Sequence, residues 1–371
     1  MTGFADTSPP NAKHLLLLGA GPSHLQFLLR RWRRHRPPVR ITLAAMPAHP
    51  VPSALVPNYV AGHQALPACT LDLEQIARAR GMTWLARAVR GLDPAAKQVL
   101  LDDGSTVSFD WLSIDASAVM PREQMERQLP GAREHGLFVR PAETFCSLWP
   151  RVRELAGGRD LRLAVMGAGS AAIELALAMR HGLPGSAVTL VAGQQPIGHG
   201  YPAALRQHLC AALRSRRIAV LPDTAAAISA TEVELATGAR LACDVPVIAL
   251  PAMAPAWLAS SALALDAQGL IALDAFRRST SHQHVFAAGE LAGRRADAPT
   301  GDAVHADTAL VTNLLALVNG DAPRPIKTPT RVLRLLGCGD REAIASWGNW
   351  CAQGRWVWHW KRWLDQRWLR S

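Results

Sequence analysis

The 371-residue sequence predicts an α/β fold made of two similar parallel-sheet units followed by a helical tail. The main observation is a repeat, in which a short apolar run, Gly-Ala-Gly and a helix-compatible stretch begin at His14 and again at Leu161. Short apolar runs that lead into glycine are typical of buried parallel strands. A second observation is the composition, 49% apolar and 19% charged, which is typical of a globular protein with sizeable cores.

Each copy of the repeat continues in the same way. After the first helix come a second strand, a hairpin and a closing strand that is entered through Asp. These elements are predicted at 39–43, 97–107 and 109–115 in the first copy, and at 187–191, 231–241 and 243–249 in the second. Alternation of strands and helices in this order favours parallel sheets, so we expect both units to share one topology.

The two Gly-Ala-Gly turns predict binding sites for dinucleotides. In each turn the first glycine, Gly19 or Gly167, permits a tight turn, and the second, Gly21 or Gly169, lets a pyrophosphate approach the backbone. The pyrophosphate would lie at the N-terminus of the following helix, where amides and the helix dipole favour an anion. The sequence therefore predicts two Rossmann-like dinucleotide-binding domains.

Several residues around the turns support or depart from this pattern. Pro22 suits the first turn of a helix, and Ala172 is the small third residue that lets helix and strand pack closely. His24 replaces that small residue in the first copy. An acidic residue often ends the second strand and binds ribose hydroxyls, but Ala44 and Ala192 stand there. The choice between NADH and NADPH is therefore left open.

A third motif, at 280–290, ends in Val-Phe-Ala-Ala-Gly-Glu. It is similar to the second FAD motif of the pyridine nucleotide–disulfide oxidoreductase superfamily, whose acid holds the ribityl chain. With this motif and both turns, the chain resembles that superfamily, and within it the type II NADH dehydrogenase-like proteins, especially the variety fused to selenophosphate synthetase. The resemblance is carried by residues 19–24, 53–63, 167–174, 285–290, 303–314 and 354–361.

The resemblance implies an FAD domain formed by residues 1–120 and 251–330, an inserted NAD(P) domain at 150–250, and a Trp/Arg-rich tail at 331–371. The FAD residues that it implies are Gly19, Gly21, Pro22, Ser23, Ser53, Glu290 and Ala303. The residues that it implies for NADH or NADPH are Gly167, Gly169, Ser170 and Ala172. It also implies two catalytic residues, Glu174 near the nicotinamide and His305 at the border of the acceptor site.

The activity implied by the resemblance is FAD-dependent NAD(P)H oxidation, with electrons passing through the flavin to a quinone-like acceptor. Two alternatives stay open: a degenerate flavin-binding scaffold or sensor without turnover, and a reductase in selenium or sulfur metabolism. The closing strands lack the glycine that the family often has, at 114–117 and at 248–251. Val304–Ala306 stands where family members often have Gln, so the acceptor is left open.

The six cysteines form no C-x-x-C pair and no zinc-like spacing, so we predict free thiols, no metal and no redox-active disulfide.

The net charge of +11 favours anionic partners. No nucleic acid is expected, because no nucleic-acid fold signature accompanies the charge. No apolar stretch reaches the roughly 18 residues of a membrane span, and no signal peptide is recognised. We expect a cytoplasmic protein, peripheral at the inner face of the membrane.

The tail contains seven of the twelve tryptophans, between 347 and 368. On a helix one face would carry Trp356, Val357, Trp360, Trp363, Leu364 and Trp368, opposite Arg355, His359, Arg362, Gln366 and Arg370. Trp and Arg in this arrangement suit the headgroup layer of an anionic membrane, which residues 354–371 are therefore predicted to bind. Packing of this helix on its own domain, or on a second copy in a homodimer, is the alternative left open.

Overall fold

The structure of the protein, a computed structural model, describes residues 12–30, 38–293, 308–325 and 331–367. The predicted site residues Ala303 and His305 lie outside the described residues, as does the end of the tail with Trp368 and Arg370.

The first unit contains seven strands and three helices up to its closing strand. They are β1 (Lys13–Leu18), α1 (Pro22–Leu29), β2 (Val39–Ala44), α2 (Val56–Val60), α3 (Leu73–Ala79), β3 (Thr83–Leu85), β4 (Val89–Asp93), β5 (Gln98–Leu101), β6 (Thr106–Ser108) and β7 (Trp111–Ile114).

The second unit follows directly. Its elements are α4 (Arg122–Gln128), α5 (Ala132–His135), β8 (Leu137–Phe138), α6 (Ala142–Gly158), β9 (Arg162–Met166), α7 (Ser170–Gly182), β10 (Ala187–Val191), α8 (Ala203–Ser215), β11 (Ala219–Leu221), β12 (Ala225–Ile228), β13 (Glu232–Leu235), β14 (Arg240–Ala242) and β15 (Val245–Ile248).

The last part of the described chain contains both a return to the first sheet and a small separate sheet. Its elements are α9 (Ala256–Ala259), β16 (Val285–Ala287), α10 (Thr308–Val318), β17 (Leu333–Gly337), β18 (Ala343–Trp347), β19 (Trp350–Gly354) and α11 (Arg355–Arg367).

Two parallel sheets form the centre of the fold. The first has the order β16-β7-β1-β2-β3 and the second the order β11-β10-β9-β15-β8. In both, the first strand of the unit lies between its second strand and its closing strand. Each unit also has a three-stranded antiparallel sheet, β4-β5-β6 or β12-β13-β14. The duplicated α/β plan predicted from the repeat is confirmed.

The apolar runs before the glycine turns are buried on both faces, as parallel strands require. In β1, Leu15 and Leu17 pack with residues of α1 and α10, whereas Leu16 and Leu18 pack with residues of β4 and β5. In β9, Leu163 and Val165 pack among residues of α6, α7 and α8, and its other face packs against β13. Each unit is therefore a sheet with helices on one face and an antiparallel sheet on the other.

The tail differs from the helix that the sequence predicts. Its first part is the antiparallel sheet β17-β18-β19, and the helix among its described residues is Arg355–Arg367. Leu336 and Ile344 of this sheet join the core around α7 and α8. The opposite face of the sheet packs on Val357 and Trp358 of α11. The C-terminal residues thus form two further layers over the second unit.

The buried face of the tail helix is not the predicted Trp-rich face. Trp358, which that face omits, is only 6% exposed, whereas Trp356 and Trp363 are 54% and 57% exposed. The face is set by the sheet that α11 covers, and periodicity within the helix does not reveal that sheet. No helix among the described residues is long and apolar enough to cross a membrane.

Two matched substitutions on α11 test this packing. Trp358→Ala should lower the free energy of unfolding by about 3–5 kcal/mol, because it leaves a cavity between α11 and the sheet. Trp356→Ala, on the exposed side of the same helix, should change it by less than about 0.5 kcal/mol. Urea unfolding followed by circular dichroism measures both. Equal losses for the two variants would contradict the assigned face.

Candidate functional site

Both glycine turns have the same backbone surroundings. The N–H of Gly19 donates to the carbonyl of Ala44 at 2.9 Å, and the N–H of Gly167 donates to the carbonyl of Val191 at 2.9 Å. Each acceptor is the last residue of the neighbouring second strand. The turns therefore lie at the carboxyl ends of the parallel strands, the edge where open α/β sheets bind ligands.

The first glycine of each turn is required by the closing strand. Gly19 has φ +89°, and a Cβ there would lie 2.5 Å from the carbonyl oxygen of Asp115. Gly167 has φ +139°, and its Cβ would lie 2.5 Å from the carbonyl oxygen of Ala249. Real Cβ contacts are not this short, and these φ values are strained for other residues. The expectation that these glycines permit a tight turn agrees with this geometry.

The second turn has room for a pyrophosphate. Gly169 precedes the first residue of α7, has φ −75°, and supplies no side-chain cap. A Cβ on Gly169 would meet no atom of the described residues within 4 Å. Ala172 is fully buried one turn further, with its Cβ near Gly167. The N-terminus of α7 therefore presents its amides to open space, which suits a nucleotide pyrophosphate.

The first turn has the same backbone, but a side chain occupies the anion position. The carboxylate of Asp115 accepts the N–H of Ser23 at 2.7 Å and the N–H of His24 at 3.1 Å. A Cβ on Gly21 would collide with this carboxylate, and so would one on Gly289. Asp115 is not among the site residues predicted from the sequence. The signal that could have found it is Ile-Asp-Ala-Ser at the end of the closing strand, where an acid replaces the usual small residue.

His24 is a structural residue of the first turn. Its ring is fully buried, with Nδ1 2.7 Å from the carbonyl oxygen of Gly19 and Nε2 2.7 Å from the hydroxyl of Ser113. Burial lowers the pKa of His24, although Asp115 acts in the opposite direction. The ring thus fills the space that a small third residue has in the second turn, and it joins helix α1 to both the turn and β7.

Glu290 follows β16, at the same edge of the first sheet. Its carboxylate accepts the N–H of Ala118 at 2.8 Å and forms a two-point ion pair with the guanidinium of Arg140. Both partners come from outside the predicted FAD motif. The role of Glu290 toward a ribityl chain stays a prediction, and in this conformation Arg140 and Ala118 hold its carboxylate.

Glu174 lies on α7 beneath the C-terminal sheet. One of its carboxylate oxygens accepts the N–H of Gly337 at 2.6 Å. It lines a small cavity with Pro57, His63 and Lys361. Burial lowers the pKa of Lys361, but Asp365 and Glu174 raise it more, and the net shift is upward. The structure thus brings together Glu174 and a lysine of the tail helix that sequence reasoning did not connect.

Ser53 begins a short 3-10 turn that leads into α2. The carbonyl of Ala54 in this turn accepts the buried ammonium group of Lys361 at 3.5 Å, and the same ammonium group pairs with Asp365 at 2.8 Å. Val56 and Val60 pack in the core of the second unit. The segment that begins at the predicted FAD residue Ser53 is therefore attached to both the core of the second unit and the tail.

Four of the six cysteines are buried away from the glycine turns. Burial raises the pKa of Cys69 and Cys243 to about 11 and that of Cys146 and Cys338 to about 12. Thiols with such pKa values are almost fully protonated near neutral pH and are poor nucleophiles. Within the described ranges, no group of three or more His, Cys, Asp or Glu side chains is placed to hold a metal ion.

Thiol labelling tests this environment. At pH 8 iodoacetamide should modify the half-buried Cys210 and Cys351 of the native protein first, because the four buried thiols are protonated and shielded. In urea all six should react. Peptide mass spectrometry locates the labels. Fast labelling of Cys69 or Cys146 in the native protein would reveal a reactive thiol that this structure does not predict.

The fold matches that of known oxidoreductases. The sulfide:quinone oxidoreductase of Aquifex aeolicus superposes with a TM-score of 0.76 at 16% identity, over 96% of this chain and 91% of that one. NDH2 of Plasmodium falciparum, solved with NADH, superposes with 0.73 at 11% identity, over 97% and 95%. The NADH-bound water-forming NADH oxidase of Lactobacillus brevis gives 0.71 at 18% identity, over 91% and 75%.

These identities establish a shared fold. The family itself is established by the sequence of residues 13–309, which matches the family described as pyridine nucleotide-disulphide oxidoreductase. The superfamily inferred from the three motifs is confirmed. The chain belongs to the pyridine nucleotide-disulphide oxidoreductase family.

Proposed function

We propose that the chain is an NAD(P)H dehydrogenase that passes electrons from NAD(P)H through FAD to a quinone-like acceptor. The observation that carries the proposal is the open turn at Gly169, where no side chain of the described residues caps the N-terminus of α7. A helix N-terminus in this position binds the pyrophosphate of a dinucleotide. The predicted sites at Gly167, Gly169, Ser170 and Ala172 all lie on this one turn.

The chain's own residues would bind and orient the cofactors. Flavin, when bound, accepts a hydride from the nicotinamide and passes electrons to the acceptor. Glu174 lies on the second turn of α7, and the N–H of Gly337 fixes its carboxylate, which suits a residue beside the nicotinamide. The Ser53–Leu55 turn would cover the flavin, and Lys361 anchors it. The roles of Ala303 and His305 remain proposals from the sequence.

A flavin-binding scaffold without turnover is a second candidate. The missing acids after the second strands and His24 in place of a small residue favour it, because both depart from the usual dinucleotide-binding pattern. The two candidates differ in one property. A scaffold would bind FAD without reduction by NAD(P)H.

The direct test is an anaerobic titration of the FAD-saturated protein with NADH and, separately, NADPH. The dehydrogenase proposal predicts loss of the oxidised flavin absorbance with at least one nucleotide, and recovery on addition of a soluble quinone. Flavin that stays oxidised with both nucleotides would favour the scaffold.

Gly169→Val should abolish binding of NAD(P)H without affecting the fold. The new side chain meets no protein atom near its Cβ, and φ at this position is ordinary for valine, yet it would fill the pyrophosphate position. The matched control is Gly157→Val on α6, which also has open space around it. Fluorescence titration of NADPH measures both variants. Unchanged affinity in Gly169→Val would place the nucleotide elsewhere.

We also propose that the C-terminal region brings the enzyme to an anionic membrane surface. The aromatic patch, which we define as Trp347, Trp350, Trp356 and Trp360, joins the β18–β19 hairpin to α11. Trp347 faces Trp350 across the hairpin, and the rings of Trp350, Trp356 and Trp360 lie 6.4–6.5 Å apart in succession. Three residues of the patch, Trp347, Trp350 and Trp360, line an open cleft of about 820 Å³ together with Arg331.

The exposure of this region supports the proposal. Trp347, Trp350 and Trp356 are each about half exposed, as is Trp363, and exposed Trp beside Arg is typical of proteins bound at the headgroup layer. The patch includes the hairpin before residue 354, so we extend the proposed membrane contact beyond the predicted segment 354–371. The other side of α11 packs on the protein. Attachment would therefore be peripheral.

Sedimentation with anionic vesicles tests the patch. The double variant Trp350→Ser/Trp356→Ser should bind about tenfold more weakly, a loss of about 1.4 kcal/mol. The control is Leu155→Ser, which removes an exposed apolar side chain from α6. Binding should also weaken as salt rises, because the basic residues contribute through screened charge. Equal sedimentation of the double variant and the control would exclude the patch as the contact surface.

A further inference from the structure

The first cradle, which we define as the N-terminus of α1 with Gly21 and Gly289, already holds an anion. We infer that Asp115 keeps this cradle closed and sets the affinity for FAD, whose pyrophosphate must displace the Asp115 carboxylate to bind. The inference rests on the proposed function, in which FAD binds at this turn.

The Asp115 carboxylate lies at the N-terminus of α1, where a phosphate oxygen of FAD would bind. It accepts the N–H groups of Ser23 and His24, at 2.7 and 3.1 Å, both in the first turn of α1. Asp115 is 1% exposed, and Gly21 and Gly289 each approach it where a Cβ would collide. An amide that already donates to a carboxylate is not available to a pyrophosphate, and two anions close together repel. Both cannot occupy the cradle at once.

The second unit shows that the fold does not require an acid here. The N–H of Asp115 donates to the carbonyl of Leu18 at 2.9 Å, and the N–H of Ala249 donates to the carbonyl of Met166 at 3.0 Å. Asp115 and Ala249 are therefore equivalent residues of the two closing strands. In each turn a Cβ on the first glycine would lie 2.5 Å from the carbonyl oxygen of this residue. Only the side chain differs, and the Ala249 cradle is the open one.

The neighbouring side chains Glu290 and His24 do not hold Asp115 away from the helix amides, because both are bonded to other groups. Glu290, the expected partner of the ribityl chain, holds Arg140 in a two-point ion pair. The His24 ring beside Asp115 is committed to Gly19 and Ser113. The contacts that stabilise the Asp115 carboxylate in the cradle are thus the helix amides, and N-cap contacts of this kind typically contribute about 0.5–2 kcal/mol.

The experiment compares FAD affinity of flavin-free wild type, Asp115→Ala and Asp115→Asn by quenching of flavin fluorescence. Asp115→Ala should bind FAD about tenfold more tightly, because no carboxylate competes for the amides. Asp115→Asn keeps the size but not the charge, and its FAD affinity should lie between those of wild type and Asp115→Ala. Urea unfolding of each protein confirms that it is folded. An affinity of Asp115→Ala equal to or weaker than wild type would overturn the inference.

The reciprocal variant moves the acid to the second turn. Ala249→Asp should weaken binding of NADP⁺ about tenfold, because the new carboxylate can cap α7 as Asp115 caps α1. Ala249→Asn is the control for a larger side chain without charge, and it should weaken NADP⁺ binding less than Ala249→Asp does. Unchanged NADP⁺ affinity in Ala249→Asp would overturn the claim that an acid at this position closes a cradle.

The outcomes separate the inference from the proposed function. If folded Asp115→Ala binds FAD no better than wild type, the inference alone fails. If no variant binds FAD at saturating concentration, the placement of FAD at the first turn fails, and the inference fails with it.

Discussion

In each unit the end of the first strand lies against the end of the closing strand, and a glycine is needed at the contact. Gly19 and Gly167 each approach a backbone carbonyl so closely that a Cβ would lie 2.5 Å from it. This contact fixes where the following helix begins, and so it directs the N-termini of α1 and α7 to the carboxyl edge of their sheets. The positions of both proposed cofactor sites depend on this contact between the glycine and the closing strand.

The duplicated plan could be predicted because its signals are local. Apolar runs before Gly19 and Gly167, and the small Ala172 after the second turn, report on contacts within one strand, turn and helix. Asp115 could not be assigned in this way, because the amides that it caps lie 92 positions earlier in the chain. The buried face of α11 likewise depends on β17–β19, whose existence the Trp-rich pattern does not reveal.

The C-terminal sheet and helix link the predicted active-site residues to the proposed membrane surface. Gly337 of β17 donates to Glu174, and Lys361 of α11 donates to Ala54 in the cover turn. The aromatic patch lies on the β18–β19 hairpin of this sheet and on α11. The C-terminal region that would contact lipid therefore also contacts residues near the proposed nicotinamide and flavin positions. This proximity favours an electron acceptor that is dissolved in the membrane.

The central claim is that one chain holds two dinucleotides in separate sites at the carboxyl edges of its two sheets. Equilibrium dialysis with FAD and NADP⁺ together, both at saturating concentration, measures this most directly. The account predicts one FAD and one NADP⁺ bound per chain, with neither displacing the other. A single bound dinucleotide per chain, with FAD and NADP⁺ competing for it, would contradict the account.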